Sequence, residues 1–523
     1  MKTILSMNVC CRAFFMALLI WVATPLFVMA QAQPHATDDI TDPLEMGLLD
    51  FTAVELKVMG GTWSDAENFP KLVWKDAARV QQIIGDCPLT TRWFDADIAE
   101  VQKPDGRPPY VAYLEGKSDK GFPVRRLVTV SPGGEAQTRY PHPSSPDSFD
   151  EKQWVLDEQQ IAVKRKILGV ENKFPALKPP RRVEETATVL RSGTPAEAGF
   201  KPESIEAMRT ACRQWYESGK EPFVACVARH GLIVFQEAFD DPKNGTTMID
   251  TAKHMASITK TMSACLFAEF MDQGLVGLDD PIGKILPDFP VEGDKMISWR
   301  ATFMHMAGIH IKAGEGREVH NAWSDNLVVN LLPCLKIGDR HRYNNMDTEL
   351  TAKAMELMTG KSVLRLMKDD LFVALGMGHS RSSDVCHGAE ATAFDVAKLG
   401  QMLLNQGAYG NTRFFSKETF HEMLPTKIHE HWPQAQFDLP WGMGLTYFNE
   451  RDPDAGKNGV PANKTLLSKA TFCHGAASGA VLRVDPVNDV VVTVVRTQQG
   501  EDYKPNLARF LQAVDAGIVD RQP

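Results

Sequence analysis

Ser257 and Lys260 stand in the stretch M-A-S-I-T-K-T-M, Met255 to Met262, just ahead of the apolar run Ala264, Cys265, Leu266, Phe267. On a helix, residues three apart share a face, so the Lys260 ammonium can approach the Ser257 hydroxyl and, once deprotonated, take its proton. That chemistry makes Ser257 a nucleophile. The same spacing suits a plain helix start, with Ser257 as a capping residue and Lys260 as solvated surface. An S-x-x-K tetrapeptide alone does not separate the two.

Two later stretches supply further polar groups. R-H-R-Y-N-N-M-D-T-E-L-T-A-K-A-M-E-L-M-T-G, Arg340 to Gly360, holds Tyr343 and Asn345 as Y-x-N, followed by Leu350, Ala354 and Leu357 at helical spacing and Gly360 as a C-cap. A phenol beside a lysine can share a serine's proton, and a side-chain amide two residues on can hold a substrate amide. T-F-C-H-G-A-A-S-G-A-V-L-R-V-D-P-V-N-D-V-V-V-T-V-V, Thr471 to Val495, reads as a hairpin led by His474 and Gly475. The small residues after His474 form an edge whose backbone N–H groups can reach an oxyanion.

The elements that must position these groups are partly readable. Pro202 to Tyr216 has apolar residues at helical spacing behind a first-turn proline, and F-V-A-C-V-A-R-H-G-L-I-V-F-Q-E-A-F has two strand-like runs about a turn at His230 and Gly231. Upstream, strand-like pieces near Trp93, Tyr110 and Leu127 alternate with turn signals, which predicts a small, mostly β accessory module over 31–189 with helical N-terminal parts. Lys173 to Arg182, K-F-P-A-L-K-P-P-R-R, reads as an extended linker within it, at about 173–189. Residues 1–30 carry Lys2 and Arg12 ahead of an apolar run ending in small residues, the pattern of a secretory signal peptide cleaved near Ala30 or Ala32. The mature chain is then expected to be periplasmic or secreted.

Bulk properties narrow the function classes. The chain has 523 residues, 43% hydrophobic and 24% charged, a globular composition. A net charge of −9 without clustered Lys and Arg argues against nucleic acid as a partner, and no later segment is apolar enough to span a bilayer. The remaining cysteines, Cys87, Cys212, Cys226, Cys265, Cys334, Cys386 and Cys473, are odd in number, irregularly spaced and too sparse for a disulfide framework, and read mostly as small buried hydrophobes. His305 with His310, and His429 with His431, match no recognised metal-ligand spacing, so neither metal nor other cofactor is expected.

Ser257 to Lys260, Tyr343 to Asn345 and His474 to Ala476, in that order, resemble the serine β-lactamase and penicillin-binding-protein superfamily, specifically its class C-like branch with related esterases and D-aminopeptidases. F-M-H-M-A-G-I, L-F-V-A-L-G-M-G-H-S and F-D-V-A-K-L-G-Q-M-L-L-N-Q-G extend the likeness, over 190–523. Ser324-Asp325-Asn326 spells an S-D-N motif of class A enzymes, but the adjoining L-V-V-N-L-L-P-C-L-K reads better as a short helix capped by Ser324 or Asp325.

The resemblance implies an α+β fold, an antiparallel sheet flanked by helices with a helical region, Ser257 starting the first helix of the cleft and the C-terminal helix in the sheet layer. It implies acyl transfer through a serine ester: Ser257 attacks, Lys260 and Tyr343 move its proton, and Asn345 orients the acyl side. Backbone N–H groups of Ser257 and of Ala477, two residues after Gly475, hold the oxyanion. Penicillin-recognising members carry K-T-G where this chain has His474-Gly475-Ala476, and histidine there is common in esterase-like members. A small ester or amide is therefore the expected substrate. A β-lactam or a D-Ala-D-Ala or D-amino-acid peptide is the alternative, and a non-catalytic peptidoglycan-binding sensor the second. Oligomeric state is not legible.

Overall fold

The structure is a computed structural model that describes residues 154–155, 158, 161–162, 165, 169–240, 248–286, 289–308, 336–448, 467–500 and 502–522, and the backbone of six strands between 62 and 137. The leader, Cys87, Cys334, His310 and Ser324-Asp325-Asn326 lie outside these residues. The six early strands are β1 (Thr62–Ser64), β2 (Lys71–Val73), β3 (Thr90–Phe94), β4 (Tyr110–Lys117), β5 (Pro123–Val130) and β6 (Glu135–Gln137). They pair in the antiparallel order β1-β2-β6-β5-β4-β3. The strand-like pieces near Trp93, Tyr110 and Leu127 are thus β3, β4 and β5.

The proline-rich stretch from Lys173 is extended, yet it is tied down along its length. Lys173 Nζ donates to the Lys284 carbonyl at 2.7 Å and Arg181 pairs with Asp272 at 3.0 Å. The Gln273 amide makes two 2.9 Å bonds to the Lys178 backbone, as a neighbouring strand would. Arg181 and Arg182 then pair antiparallel with Thr412 and Arg413.

A seven-stranded sheet forms the centre of the remaining chain. Its strands are β7 (Arg191–Ser192), β8 (Phe223–Arg229), β9 (Leu232–Phe239), β10 (Thr446–Tyr447), β11 (Phe472–Cys473), β12 (Val481–Asp485) and β13 (Val490–Val495), in the order β10-β11-β12-β13-β8-β9-β7. All neighbours are antiparallel except β7, which runs parallel to β9. The β8–β9 hairpin closes through His230 and Gly231, both at positive φ (52° and 74°), the two-residue turn whose twist matches its strands. Between β12 and β13 the Asp485 carboxylate accepts the N–H groups of Val487 and Asn488 and so fixes the turn.

Strand alternation splits the core into two layers. Phe223, Ala225 and Val227 of β8 and Val490, Val492 and Val494 of β13 face α1 (Ser204–Gly219) and the C-terminal helix, whose Phe510, Leu511 and Val514 complete that layer. Val224, Cys226 and Ala228 face the other way, toward α2 (Ile258–Asp272) and the helix Ala393–Leu404. Cys212, Cys226, Cys265, Cys386 and Cys473 are buried thiols in these layers, in no disulfide. Burial pushes the Cys226 thiol up to about 12 and that of Cys473 to about 11, so both behave as small hydrophobes.

Helix α2 is apolar on every side and buried from Ile258 to Phe270, which makes it the axis of the larger layer. Besides Lys260, Glu269 is the ionisable exception inside it. It is fully buried, and neither carboxyl oxygen has a protein hydrogen-bond partner among the described residues. Burial first, and then the nearby Asp370 and Asp272, push its carboxyl well above the ordinary range. A carboxyl raised on folding contributes stability that is complete below its unfolded value and is lost as pH climbs through the folded one. Glu269→Met is therefore expected to raise the melting temperature over wild type, with a gap that widens between pH 5 and pH 8. Leaving such a group unpaired costs about 1–3 kcal/mol. Thermal unfolding of both proteins at the two pH values checks this, and a constant or reversed gap contradicts it.

Candidate active site

Ser257 sits at the N-cap of α2, but its side chain makes no capping bond. Its Oγ instead accepts from Tyr343 Oη at 2.9 Å. The turn that aims it is tightly determined. Ala256 adopts φ 45°, a left-handed conformation costly for any residue with a Cβ. Met255 N–H bonds the Ala389 carbonyl at 2.7 Å, and Thr259 Oγ1 bridges the Ala256 carbonyl (2.7 Å) and the Ala389 N–H (3.0 Å). The strained residue before Ser257 is thus pinned to the Ala389–Ala391 strand.

Lys260, one turn on, is 2% exposed. Its Nζ donates to Asn345 Oδ1 at 2.6 Å and to the Cys386 carbonyl at 3.0 Å, and lies 5.1 Å from the Tyr343 ring centroid. Burial pulls the ammonium down, but the Tyr343 phenol, the Cys386 thiol and the Asp384 carboxylate together outweigh it and leave Lys260 above the usual lysine value. Lys260 is consequently a cation at neutral pH. Backbone packing keeps it so placed: Gly444, at φ 58°, brings its chain so near Lys260 that a Cβ there would lie 2.6 Å from the Lys260 carbonyl oxygen.

The Cys386 carbonyl belongs to a loop built on Asp384. This fully buried carboxylate accepts the N–H groups of Cys386, His387 and Gly388 at 2.6–2.8 Å and pairs with His387 Nδ1 at 2.8 Å. Burial alone would raise it; His387 and the backbone amides hold it well below the carboxylate range. Cys386 Sγ reaches the Asn345 carbonyl at 3.3 Å, so the loop and the start of α3 (Met346–Thr359) are joined on either side of Lys260.

Tyr343 is 43% exposed, and three aromatic rings wall it in. His305 lies 4.6 Å away between centroids, Trp441 at 5.8 Å and His474 at 5.8 Å. His305 and Asp347 are buried and bonded, Nδ1 to Oδ2 at 2.9 Å. Burial raises the Asp347 carboxyl well above its ordinary range.

His474 follows β11 and is 4% exposed, with Nδ1 2.7 Å from the Gly475 carbonyl. Gly475 and Ala477 are exposed on the edge beyond it. The structure therefore gathers Ser257, Lys260, Tyr343 and Asn345 into one bonded group, sets His474 against the Tyr343 ring and leaves the Gly475–Ala477 edge open to solvent. Among the described residues, no group of three or more His, Cys, Asp or Glu is placed to hold a metal ion.

Cys386, Asp384, His305 and Asp347 join the site from outside the sequence motifs. Sequence reasoning offers His305 only as a metal-ligand candidate and Cys386 only as a small hydrophobe. The one available signal for His305 is its place in F-M-H-M-A-G-I.

A serine at the head of a buried helix, a lysine one turn later, a facing tyrosine and a sheet edge define a β-lactamase-fold serine hydrolase. The chain belongs to the Beta-lactamase family, whose model matches residues 213–516. A curated relative from Escherichia coli (strain K12), named "Putative D-alanyl-D-alanine carboxypeptidase", is 22% identical over 384 residues, covering 59% of this chain and 85% of the relative. Among solved structures, a penicillin-binding protein homologue from Caulobacter crescentus aligns at TM-score 0.48 and 18% identity, over 61% of this chain and 99% of that one. A family VIII carboxylesterase aligns at TM-score 0.48 and 18% identity, over 63% and 98%.

Asn345 is the side chain that most directly receives the buried charge. A hydrogen bond to a charged group contributes about 1.5–3 kcal/mol. Asn345→Ala should lower stability by that amount in denaturant unfolding; an unchanged midpoint would show that the 2.6 Å contact does not hold Lys260.

Proposed function

We propose that the chain is an exported hydrolase that acts through an acyl-serine intermediate on a small ester or amide. The observation that carries this reading is the 2.9 Å contact between Tyr343 Oη and Ser257 Oγ, with the Lys260 ammonium 5.1 Å from the Tyr343 ring centroid. Because Lys260 is held as a cation, the proton-moving group is Tyr343 and the lysine acts by charge. Tyr343 acts as the phenolate, its own proton released to solvent before the substrate reacts, and the Lys260 ammonium offsets the negative charge its oxygen then carries.

In the acylation step Ser257 Oγ attacks the substrate carbonyl carbon while its proton passes to the Tyr343 oxygen. The carbonyl oxygen becomes an oxyanion, received by the backbone N–H groups of Ser257 and Ala477. The tetrahedral species collapses, the bond to the leaving group breaks, and Tyr343 Oη returns the proton to it. Water repeats the sequence on the ester, giving its proton to Tyr343 and releasing the acid and free Ser257. Asn345, whose Oδ1 accepts from Lys260, orients the acyl side of the substrate.

The third motif supports esters over carboxylate-bearing substrates. A histidine carries no permanent charge, and His474 is buried with Nδ1 directed at the Gly475 carbonyl. A D-alanyl peptide substrate is the second reading, favoured by the name of the curated relative. Export rests on the signal-like pattern of residues 1–30.

Ser257→Ala should abolish labelling by a fluorophosphonate or a penicillin probe, and retained labelling sinks the assignment. On the mature wild-type protein, short-chain p-nitrophenyl esters should be turned over faster than a chromogenic cephalosporin or a D-Ala-D-Ala peptide. No difference in ester turnover between wild type and Lys260→Ala would instead mark a non-catalytic module.

A further inference from the structure

The residues on either side of Tyr343 are both attached to one buried pair. Arg342, just before it, donates its backbone N–H to the His305 carbonyl at 2.9 Å. Asn344, just after it, donates Nδ2 to Asp347 Oδ2 at 3.0 Å and accepts the Asp347 N–H on Oδ1 at 2.9 Å. His305 Nδ1 and Asp347 Oδ2, 2.9 Å apart, close the loop. His305 also places its ring 4.6 Å from that of Tyr343.

Tyr343 itself is 43% exposed, so burial does not hold its phenol. Beside the Trp441 and His474 rings and the Ser257 contact, this ring of contacts restrains it. His305 and Asp347 are 4% and 1% exposed, and His305 is held at φ 54°, a left-handed conformation unfavourable to a bulky residue. A strained, buried, polar pair with no part in the proton steps needs another role.

We propose that His305 and Asp347 are positioning residues for Tyr343: together they set the distance and angle of its phenol to Ser257 Oγ. His305 supplies the surface on which the ring rests and the carbonyl that fixes the chain before it. Asp347 keeps the imidazole in one orientation and fixes the chain after it. Neither touches substrate; both act through the Tyr343 hydroxyl. This inference rests on the reading of Tyr343 as the proton-moving group.

The test is the rate of Ser257 labelling by a fluorophosphonate on the full chain, with folding checked by thermal unfolding. Tyr343→Phe should slow labelling about 100-fold or more. His305→Phe, which keeps a ring, and Asp347→Ala should each slow it about 10- to 100-fold, as small misplacements of reacting groups do. Asp347→Asn, which retains an acceptor for the imidazole, should stay within about threefold of wild type. In the Tyr343→Phe background, neither His305→Phe nor Asp347→Ala should slow labelling further, because the group they position is already gone.

An unchanged rate in Tyr343→Phe overturns the reading of Tyr343 itself. A slow Tyr343→Phe with wild-type rates in folded His305→Phe overturns the positioning proposal alone. So does an equal loss from the second substitution in both backgrounds, the mark of a merely structural role. If Asp347→Ala does not fold, the His305→Phe pair of measurements decides.

Discussion

A single positive charge inside an apolar helix sets the terms for the rest of the structure. Helix α2 could be buried on every side at little cost except at Glu269 and at Lys260, where an ammonium has to be taken out of water. An isolated charge in such a place costs several kcal/mol, and the cost is met only by close acceptors. Asn345 Oδ1 and the Cys386 carbonyl are those acceptors, and each comes from a different part of the chain. The start of α3 and the Asp384 loop are therefore drawn to the same point, and Tyr343, two residues before Asn345, arrives over Ser257 as a result.

The sheet supplies the stiffness this arrangement needs. Antiparallel pairing carries β8, β12 and β13 through the middle of the molecule, so α2 packs on a surface that does not give. The left-handed turn at Ala256 is stable only because Met255 and Thr259 are held to Ala389 on both sides of it. Strain at the residue before a reactive serine persists where neighbours over-determine the backbone.

The sequence disclosed residue types better than it disclosed partners. Periodicity and turn residues located α1, the β8–β9 hairpin and the β12–β13 hairpin, because each is a local pattern that its own residues decide. The order of Ser257, Lys260, Tyr343, Asn345 and His474 was also legible. The pairing of Lys260 with Asn345 rather than with Ser257 was not: helical spacing places two side chains on one face but is silent about a carbonyl 126 residues away. The His305–Asp347 pair was hidden for the same reason. A lone histidine in an apolar context has many readings, and only the fold shows which carboxylate it meets. The burial of Glu269 without a hydrogen-bond partner among the described residues likewise became visible only once its neighbours were placed.

Helix α2 is also where the extended segment around Lys178 is fastened. Ser257 stands at one end of the helix; Asp272 and Gln273, which grip Arg181 and Lys178, stand at the other. At 1.5 Å per residue these ends are roughly 22 Å apart along one continuous hydrogen-bonded rod. Ser257 and the residues that fasten the extended segment are thus the two tips of one rod.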